Sequence, residues 1–295
     1  MTPADQQQSP TSNAEAIEAW DGPLFERFVQ YRHIVVAGLS GHGDEAMRLH
    51  PPQSGDRILD IGCGFGDTTR QLAALAEAEG LAVGVDASDR FIAAARRETQ
   101  AQDVNVQFNV ADVQTANLGE GFDLVFSQFG TMFFANPVAA LRNVREAMRP
   151  TAKLVMVVWR SKQENEWLHR AQTITERFRA RPEEYDAPTC GPGPFSMADA
   201  DTTSGILTQA GFNHISLRRC DLPITIGAEV DEAVEFAMSL GPAGEILRLA
   251  GERAAHLHRP IADALHQGFA EWIGPNGITA PASTWIVSAT PTCRP

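Results

Sequence analysis

The sequence predicts an α/β fold built on a parallel sheet, and three observations carry that expectation. Short runs rich in Val, Ile, Leu and Phe alternate with helix-compatible segments across residues 57–159. The first run ends in an acid and then places glycines on alternate positions, Asp60-Ile61-Gly62-Cys63-Gly64-Phe65-Gly66. Acids also close the next two runs, at Asp86 and Asp112. A strand, a glycine loop and a helix in that order build a nucleotide-type site at the carboxyl edge of an open sheet. Glycine suits the loop because it reaches positive φ without strain and lets backbone approach a ligand closely.

Taken in chain order, residues 1–12 are polar and proline-containing and read as a disordered tail. From Asn13 to about Leu39 the pattern is helical, with Trp20, Phe25, Phe28 and Tyr31 along it. Gly38 to Gly43 is expected to break that helix, and a second short one runs from Asp44 to His50 until Pro51-Pro52. Residues 13–52 thus read as an N-terminal helical lid. A core over 53–160 holds strands at 57–61, 81–86, 104–110, 122–127 and 153–159. Helices at 66–79, 88–101 and 137–149 lie between them, with Ser88 and Asn136-Pro137 as cap and first-turn signals.

Beyond Trp159 the order changes. Residues 161–180 read as helical and 181–198 as a Pro/Gly-rich loop. A helix over 199–210 stops at Gly211, and His214 to Ile226 reads as one strand. A helical block covers 229–272, and Ser283 to Ala289 is the last strand. Residues 161–295 therefore complete the sheet, with cap insertions at 161–198 and 228–280.

A net charge of −13 argues against a nucleic-acid backbone as partner, which would favour a basic face. The four cysteines are dispersed without a CxxC pair. Neither a disulfide scaffold nor a metal site is expected, and a reducing, cytoplasmic compartment fits. The apolar stretch Leu154–Trp159 is too short to span a bilayer, and the polar N-terminus has no signal core.

A dinucleotide fingerprint wants G-x-G-x-x-G, and here Asp67 holds the third position. A carboxylate at that point is expected to face a bound pyrophosphate, which argues against NAD. The set Asp60, Gly62, Gly64 and Gly66 instead resembles motif I of the class I S-adenosyl-L-methionine (SAM) dependent methyltransferases. Downstream, Val83-Gly84-Val85-Asp86, Asn109-Val110-Ala111-Asp112-Val113 and Phe122-Asp123-Leu124-Val125-Phe126-Ser127-Gln128 match the family's next strand-end motifs in order. Arg149-Pro150 matches its helix-to-strand junction, although the usual Gly-Gly is replaced by Thr151-Ala152.

The likeness runs toward small-molecule enzymes related to the ubiquinone and menaquinone methyltransferases. It implies a Rossmann-like sheet of seven strands in the order 3-2-1-4-5-7-6, the last antiparallel, with a helical cap between the sixth and seventh. It also implies roles. Asp60 and the loop glycines would hold the methionine half of SAM, and Asp86 with Ala87 the ribose. Asp112 with Val113 would hold the adenine, and Ser127 would line the methionine side. The spent product would be S-adenosyl-L-homocysteine (SAH).

Methyl transfer from a sulfonium is an in-line displacement, so positioning dominates and a base is needed only when the acceptor must lose a proton. Tyr31, His33 and His169 are candidate bases, with His42 and Tyr185 behind them. Gln128, Phe129, Met132 and Phe133 are candidate pocket walls, which suits a hydrophobic small molecule. Two alternatives stay open at this point: an NAD-dependent oxidoreductase, and a SAM-binding protein without catalysis. Nothing in the sequence names the acceptor, the atom methylated or the oligomeric state.

Overall fold

The computed structural model of the chain describes residues 13–100, 105–178 and 192–292. Its main sheet contains β1 (Arg57–Ile61), β2 (Leu81–Asp86), β3 (Val106–Val110), β4 (Phe122–Gln128), β5 (Met148–Trp159), β6 (Phe212–Asp221) and, last in the chain, β10 (Ser283–Pro291). Their order is β3-β2-β1-β4-β5-β10-β6, and β10 runs antiparallel to both neighbours. This is the topology that the family resemblance implies.

Alternation at period two explains why the strands form. Leu59, Ile61, Val83, Val85 and Val125 pack into one apolar cluster. Ile58, Ala82, Leu124, Phe126, Val155 and Val157 pack into another. Successive side chains leave opposite faces of a strand, so both faces of these strands are apolar and both must be covered. Helices do the covering: α4 (Asp67–Leu75), α5 (Asp89–Thr99), α6 (Pro137–Ala147) and α8 (Ala200–Ala210), while α7 (Glu166–Glu176) packs mainly on helices nearer the C-terminus. Ser88 caps α5 by accepting from the Phe91 N–H, and Asn136 caps α6 through the Ala139 N–H. Gly211 ends α8 in the left-handed conformation, at φ +90°.

The N-terminal stretch contains α1 (Ala14–Ala19), α2 (Phe25–Gln30) and α3 (Gly38–Leu49). The expected single helix is interrupted at Gly22-Pro23, where Gly22 leaves helical geometry, and again at Tyr31. The expected break at Gly38–Gly43 is corrected: α3 runs straight through it. These glycines serve close approach instead. A Cβ on Gly38 would lie 2.5 Å from the Thr225 carbonyl oxygen, and one on Gly43 would lie 2.2 Å from Gln128 Oε1.

Three further boundaries differ from expectation. β5 starts at Met148, ahead of the Thr151-Ala152 departure, and its register with β4 shifts between Phe122 and Leu124. The 214–226 strand divides at Leu222-Pro223, because proline has no N–H for the ladder. Its second half, β7 (Ile224–Gly227), joins β8 (Ile273–Gly274) and β9 (Gly277–Ala280) in a separate small sheet. The helical block divides into α9 (Val230–Leu240), α10 (Pro242–Ala250) and α11 (Ala254–Phe269), with breaks at Gly241-Pro242 and Gly251. No helix among the described residues is long and apolar enough to cross a membrane. The tail at 1–12 and most of the 181–198 loop lie outside the described residues.

Candidate functional site

The carboxyl ends of β1, β2 and β4 meet at the point where the strand order reverses, which is where open α/β sheets place ligands. The loop after β1 turns on Gly62, Gly64 and Gly66, with φ of +67°, +53° and +78°. Their surroundings differ. A Cβ on Gly62 would press on the Gly130 backbone at 2.9 Å, and one on Gly66 would strike the Phe108 ring at 2.5 Å. At Gly64 the nearest atom is Phe91 Cδ1 at 3.9 Å, an ordinary contact distance, so this glycine alone of the three would take a Cβ without a clash. In the dinucleotide pattern the third glycine permits close helix–strand packing. Gly66 supplies that approach here, one position earlier than the pattern requires.

Backbone and carboxylate hold the loop in place. The N–H groups of Gly62 and Cys63 donate to the Val85 carbonyl at 2.8 and 3.1 Å. Asp86 accepts from the Gly64 N–H on one oxygen and from the Ser88 N–H on the other, each at 3.0 Å. Burial pushes the Asp86 carboxyl above its usual range, against the lowering pull of the backbone N–H groups of Ser88, Gly64 and Ala87. Asp60 is 1% exposed and accepts from the Thr69 hydroxyl at 2.6 Å. Burial raises its pKa to about 7; the Thr69 bond opposes the rise and the nearby Asp86 charge adds to it. Asp60 thus ties β1 to α4 beneath the loop. Ser127 is fully enclosed and donates its hydroxyl to the Ile61 carbonyl at 2.8 Å, joining the ends of β4 and β1. Val113 is buried in the main core, while Asp112 stands half-buried past β3.

The sequence reading of Asp67 needs correction. Its carboxylate turns to the guanidinium of Arg32, at 2.9 and 3.1 Å, and to Arg70 at 2.6 Å, rather than toward the loop mouth.

Residues that the sequence reading did not single out bind the lid to this edge. Asn13 donates its amide to Asp112 at 2.8 Å and accepts from the Ala135 N–H at 2.9 Å. Asp21 accepts from the Ser88 hydroxyl at 2.5 Å and from the Arg90 N–H at 3.0 Å. The Ser88 bond leads in holding the Asp21 carboxyl below its usual range. Arg32 lies over the Phe65 ring at 4.4 Å while it bonds Asp67 and Glu98. Phe25, Phe65 and Phe91 pack together, and Trp20 packs edge-on against Phe28, Phe91 and Phe133. No local sequence pattern announces these pairs, which lie up to 122 residues apart. The aromatic spacing of the lid was the only signal.

The β4–β5 end has a different character. Phe129 has φ +62°, an uncommon conformation for a bulky residue, held by its N–H bond to the Val157 carbonyl at 2.9 Å. Its ring stacks on Trp159 at 4.2 Å. Gln128 bridges the Leu39 carbonyl and the Thr68 hydroxyl. Met132 is 1% exposed and its sulfur accepts from the Trp159 N–H. Phe133 faces the lid through Trp20.

The candidate bases do not gather. Tyr31 is buried against Phe236, and burial raises its phenol above the usual range. His33 is an exposed partner of Glu232 at 2.7 Å. His169 sits on α7. His42 is buried between Thr284, Phe129 and Trp159, and burial lowers its pKa to about 4. Tyr185 lies outside the described residues. Three buried polar atoms near this end, His42 Nε2, Thr131 Oγ1 and Trp167 Nε1, have no hydrogen-bond partner among the described residues. An enclosed unpaired group of this kind costs about 1–3 kcal/mol.

Set beside known proteins, residues 52–210 match the family described as methyltransferase domain. The demethylmenaquinone methyltransferase of Symbiobacterium thermophilum is 28% identical over 160 residues, covering 54% of this chain and 61% of that protein. The matches to the first curated relatives span about a third to three fifths of those proteins' lengths. Among solved structures, the YcgJ protein of Bacillus subtilis superposes with a TM-score of 0.54 at 15% identity, covering 86% of this chain and 98% of that one. Phosphoethanolamine N-methyltransferase 2 of Haemonchus contortus, in complex with S-adenosyl-L-methionine, gives a TM-score of 0.51 at 17% identity, covering 86% and 53%. Both share the fold.

Proposed function

The chain belongs to the methyltransferase-domain family, and from that premise we propose that it transfers a methyl group from SAM to a hydrophobic small molecule. Gly64 carries the reading. It is held at φ +53° by Asp86, and its Cβ direction meets nothing nearer than Phe91 Cδ1 at 3.9 Å. Its role is therefore not close packing within the protein, and a cradle for a ligand accounts for it. The acids around it suit the donor's chemistry. Asp86 and Asp112 are hydrogen-bond acceptors, fitting ribose hydroxyls and an adenine amino group, and the local negative charge favours a sulfonium and an ammonium over a pyrophosphate.

In this reading each residue has a limited task. Asp86 holds the loop and α5 in register and offers its remaining lone pairs to the ribose. Asp112 does the same for the base. Asp60 and Ser127 act one layer below, fixing the ends of β1 and β4, so they position the cradle and do not line it. SAM supplies an activated methyl group. The lid, through Trp20, Phe25 and Arg32, excludes water from the loop, and the aromatic rings at Phe129 and Trp159 form an apolar wall for the acceptor. The chain-wide division into lid (13–52), core (53–160) and cap-bearing remainder (161–295), and a cytoplasmic location, belong to the same reading. The demethylmenaquinone relative supports a hydrophobic acceptor. The oxidoreductase alternative drops out with the family assignment.

Calorimetric titration tests the proposal: SAM and SAH should bind at micromolar levels and NADH should not. NADH binding without SAM binding would overturn it. Turnover with an acceptor panel then separates an enzyme from a binding protein.

A further inference from the structure

One residue of the lid spends its side chain away from its own helix. Asn13 stands at the cap position of α1, and its carbonyl opens that helix by accepting from the Ile17 N–H at 2.8 Å. Asparagine is favoured at a cap because its side-chain oxygen can satisfy a free backbone N–H of the first turn. Here the side chain makes no capping bond.

The carboxamide instead closes a ring of four hydrogen bonds, and Asn13 is only 8% exposed. Its amide donates to Asp112 Oδ1 at 2.8 Å, and the same oxygen takes the Gln114 N–H at 3.0 Å. Gln114 Oε1 accepts from the Asn136 N–H at 2.5 Å. The neighbouring Ala135 N–H donates to Asn13 Oδ1 at 2.9 Å and completes the ring. Three separate pieces of chain meet in it: the lid, the turn after β3 and the loop that enters α6. Each member fixes the geometry of the next, so removing one frees the others.

The ring limits what Asp112 can offer. A carboxylate oxygen has two lone pairs, and the two donors fill those of Oδ1. Oδ2 has no hydrogen-bond partner among the described residues. An acceptor held in place by its twin oxygen suits a single N–H donor on a ligand.

We infer that Asn13 determines specificity for the base of the methyl donor, acting through Asp112. By pinning Oδ1 it presents Oδ2 to the exocyclic amino group of the purine, so a 6-aminopurine is selected over a purine without that donor. Asn13 is a positioning residue: it touches Asp112 and takes no part in bond making. Because it belongs to the lid, seating of the lid and recognition of the base are one event. This inference rests on the methyltransferase reading above.

The test titrates two ligands calorimetrically into the full chain: SAH, and its 6-deamino analogue, whose purine carries hydrogen in place of the amino group. The proteins are the wild-type chain, Asn13→Ala, Asp112→Ala and the double variant. The wild-type chain should bind SAH about tenfold more tightly than the analogue. Asn13→Ala should lose most of that preference by weakening SAH while the analogue keeps its affinity. Asp112→Ala should abolish the preference, and adding Asn13→Ala to it should change the ratio no further. Equal weakening of both ligands by Asn13→Ala would overturn the inference, because a residue that merely anchors the lid would do that. Tighter SAH binding by Asn13→Ala would overturn it too, since the ring would then block the base. So would a wild-type chain without preference for SAH, an arm that stands even where Asn13→Ala fails to fold. Failure of the wild-type chain to bind SAH at all would remove the donor assignment and this inference with it. SAH binding with an unchanged ratio in Asn13→Ala would remove only the role given to Asn13.

Discussion

The two halves of the sheet's carboxyl edge are built from opposite chemistry. At the β1–β2–β3 side, carboxylates and backbone N–H groups fix a loop of positive-φ glycines, and nearly every polar group has a partner. At the β4–β5 side, rings stack on rings, and His42, Thr131 and Trp167 carry buried polar atoms without one among the described residues. The first arrangement suits one fixed polar ligand. The second suits a ligand whose binding is mostly apolar burial, with a few polar groups left to set orientation. A conserved donor and a variable acceptor would each find the appropriate half.

The largest effects should come from the glycine loop, where two neighbouring glycines ought to fail in different ways. At Gly66 a side chain meets Phe108 at 2.5 Å and Ala95 at 3.1 Å, in a left-handed backbone. Gly66→Val should therefore cost about 3 kcal/mol or more of stability, combining the left-handed penalty with overpacking. At Gly64 only the backbone penalty of about 1–2 kcal/mol applies, so Gly64→Val should stay folded and lose SAH binding. Urea unfolding with parallel SAH titration separates them. Equal stability losses would remove the distinction between a packing glycine and a ligand-facing one.

A smaller effect distinguishes the halves by pH. Asp60 has its carboxyl raised to about 7 from an ordinary 3.8, so between about pH 4 and 7 the folded chain holds a proton that the unfolded chain has lost. That contribution stabilises at low pH and is lost as pH rises through 7. His42 has the opposite sign. Buried and neutral with a pKa near 4 instead of 6.5, it favours unfolding as pH falls through that window. Asp60→Asn should keep the Thr69 contact and flatten the profile between about pH 4 and 7, gaining stability over the wild-type chain as pH rises through that window. Parallel profiles for the two proteins would contradict an enclosed, proton-holding Asp60.

Much of the polar half was legible in the sequence because its signals are local. Glycines on alternate positions and strand-end acids at Asp86 and Asp112 sit where strands end, and period-two runs place the strands themselves. Asp60 and Ser127 were legible as residues of the candidate site but not as groups facing inward, since only tertiary contacts reveal that Thr69 and Ile61 pair with them. Gly38 and Gly43 misled for a related reason: glycine in a helix reads as a break unless the neighbour it admits is known. The aromatic half was less legible. Trp159 and Trp167 are eight positions apart along the chain, yet Phe236 and Tyr31 reach them only through the cap. The lid's bonds from Asn13, Asp21 and Arg32 likewise join residues dozens of positions away.

The central claim is that the glycine loop and the acids beside it hold the methyl donor beneath the N-terminal lid. Hydrogen exchange of the full chain with and without SAH measures this at the backbone. The account predicts added protection confined to residues 62–67, 86–88 and 112–113 together with the lid over 13–37. SAH binding that protects the cap helices and leaves the loop unchanged would contradict it.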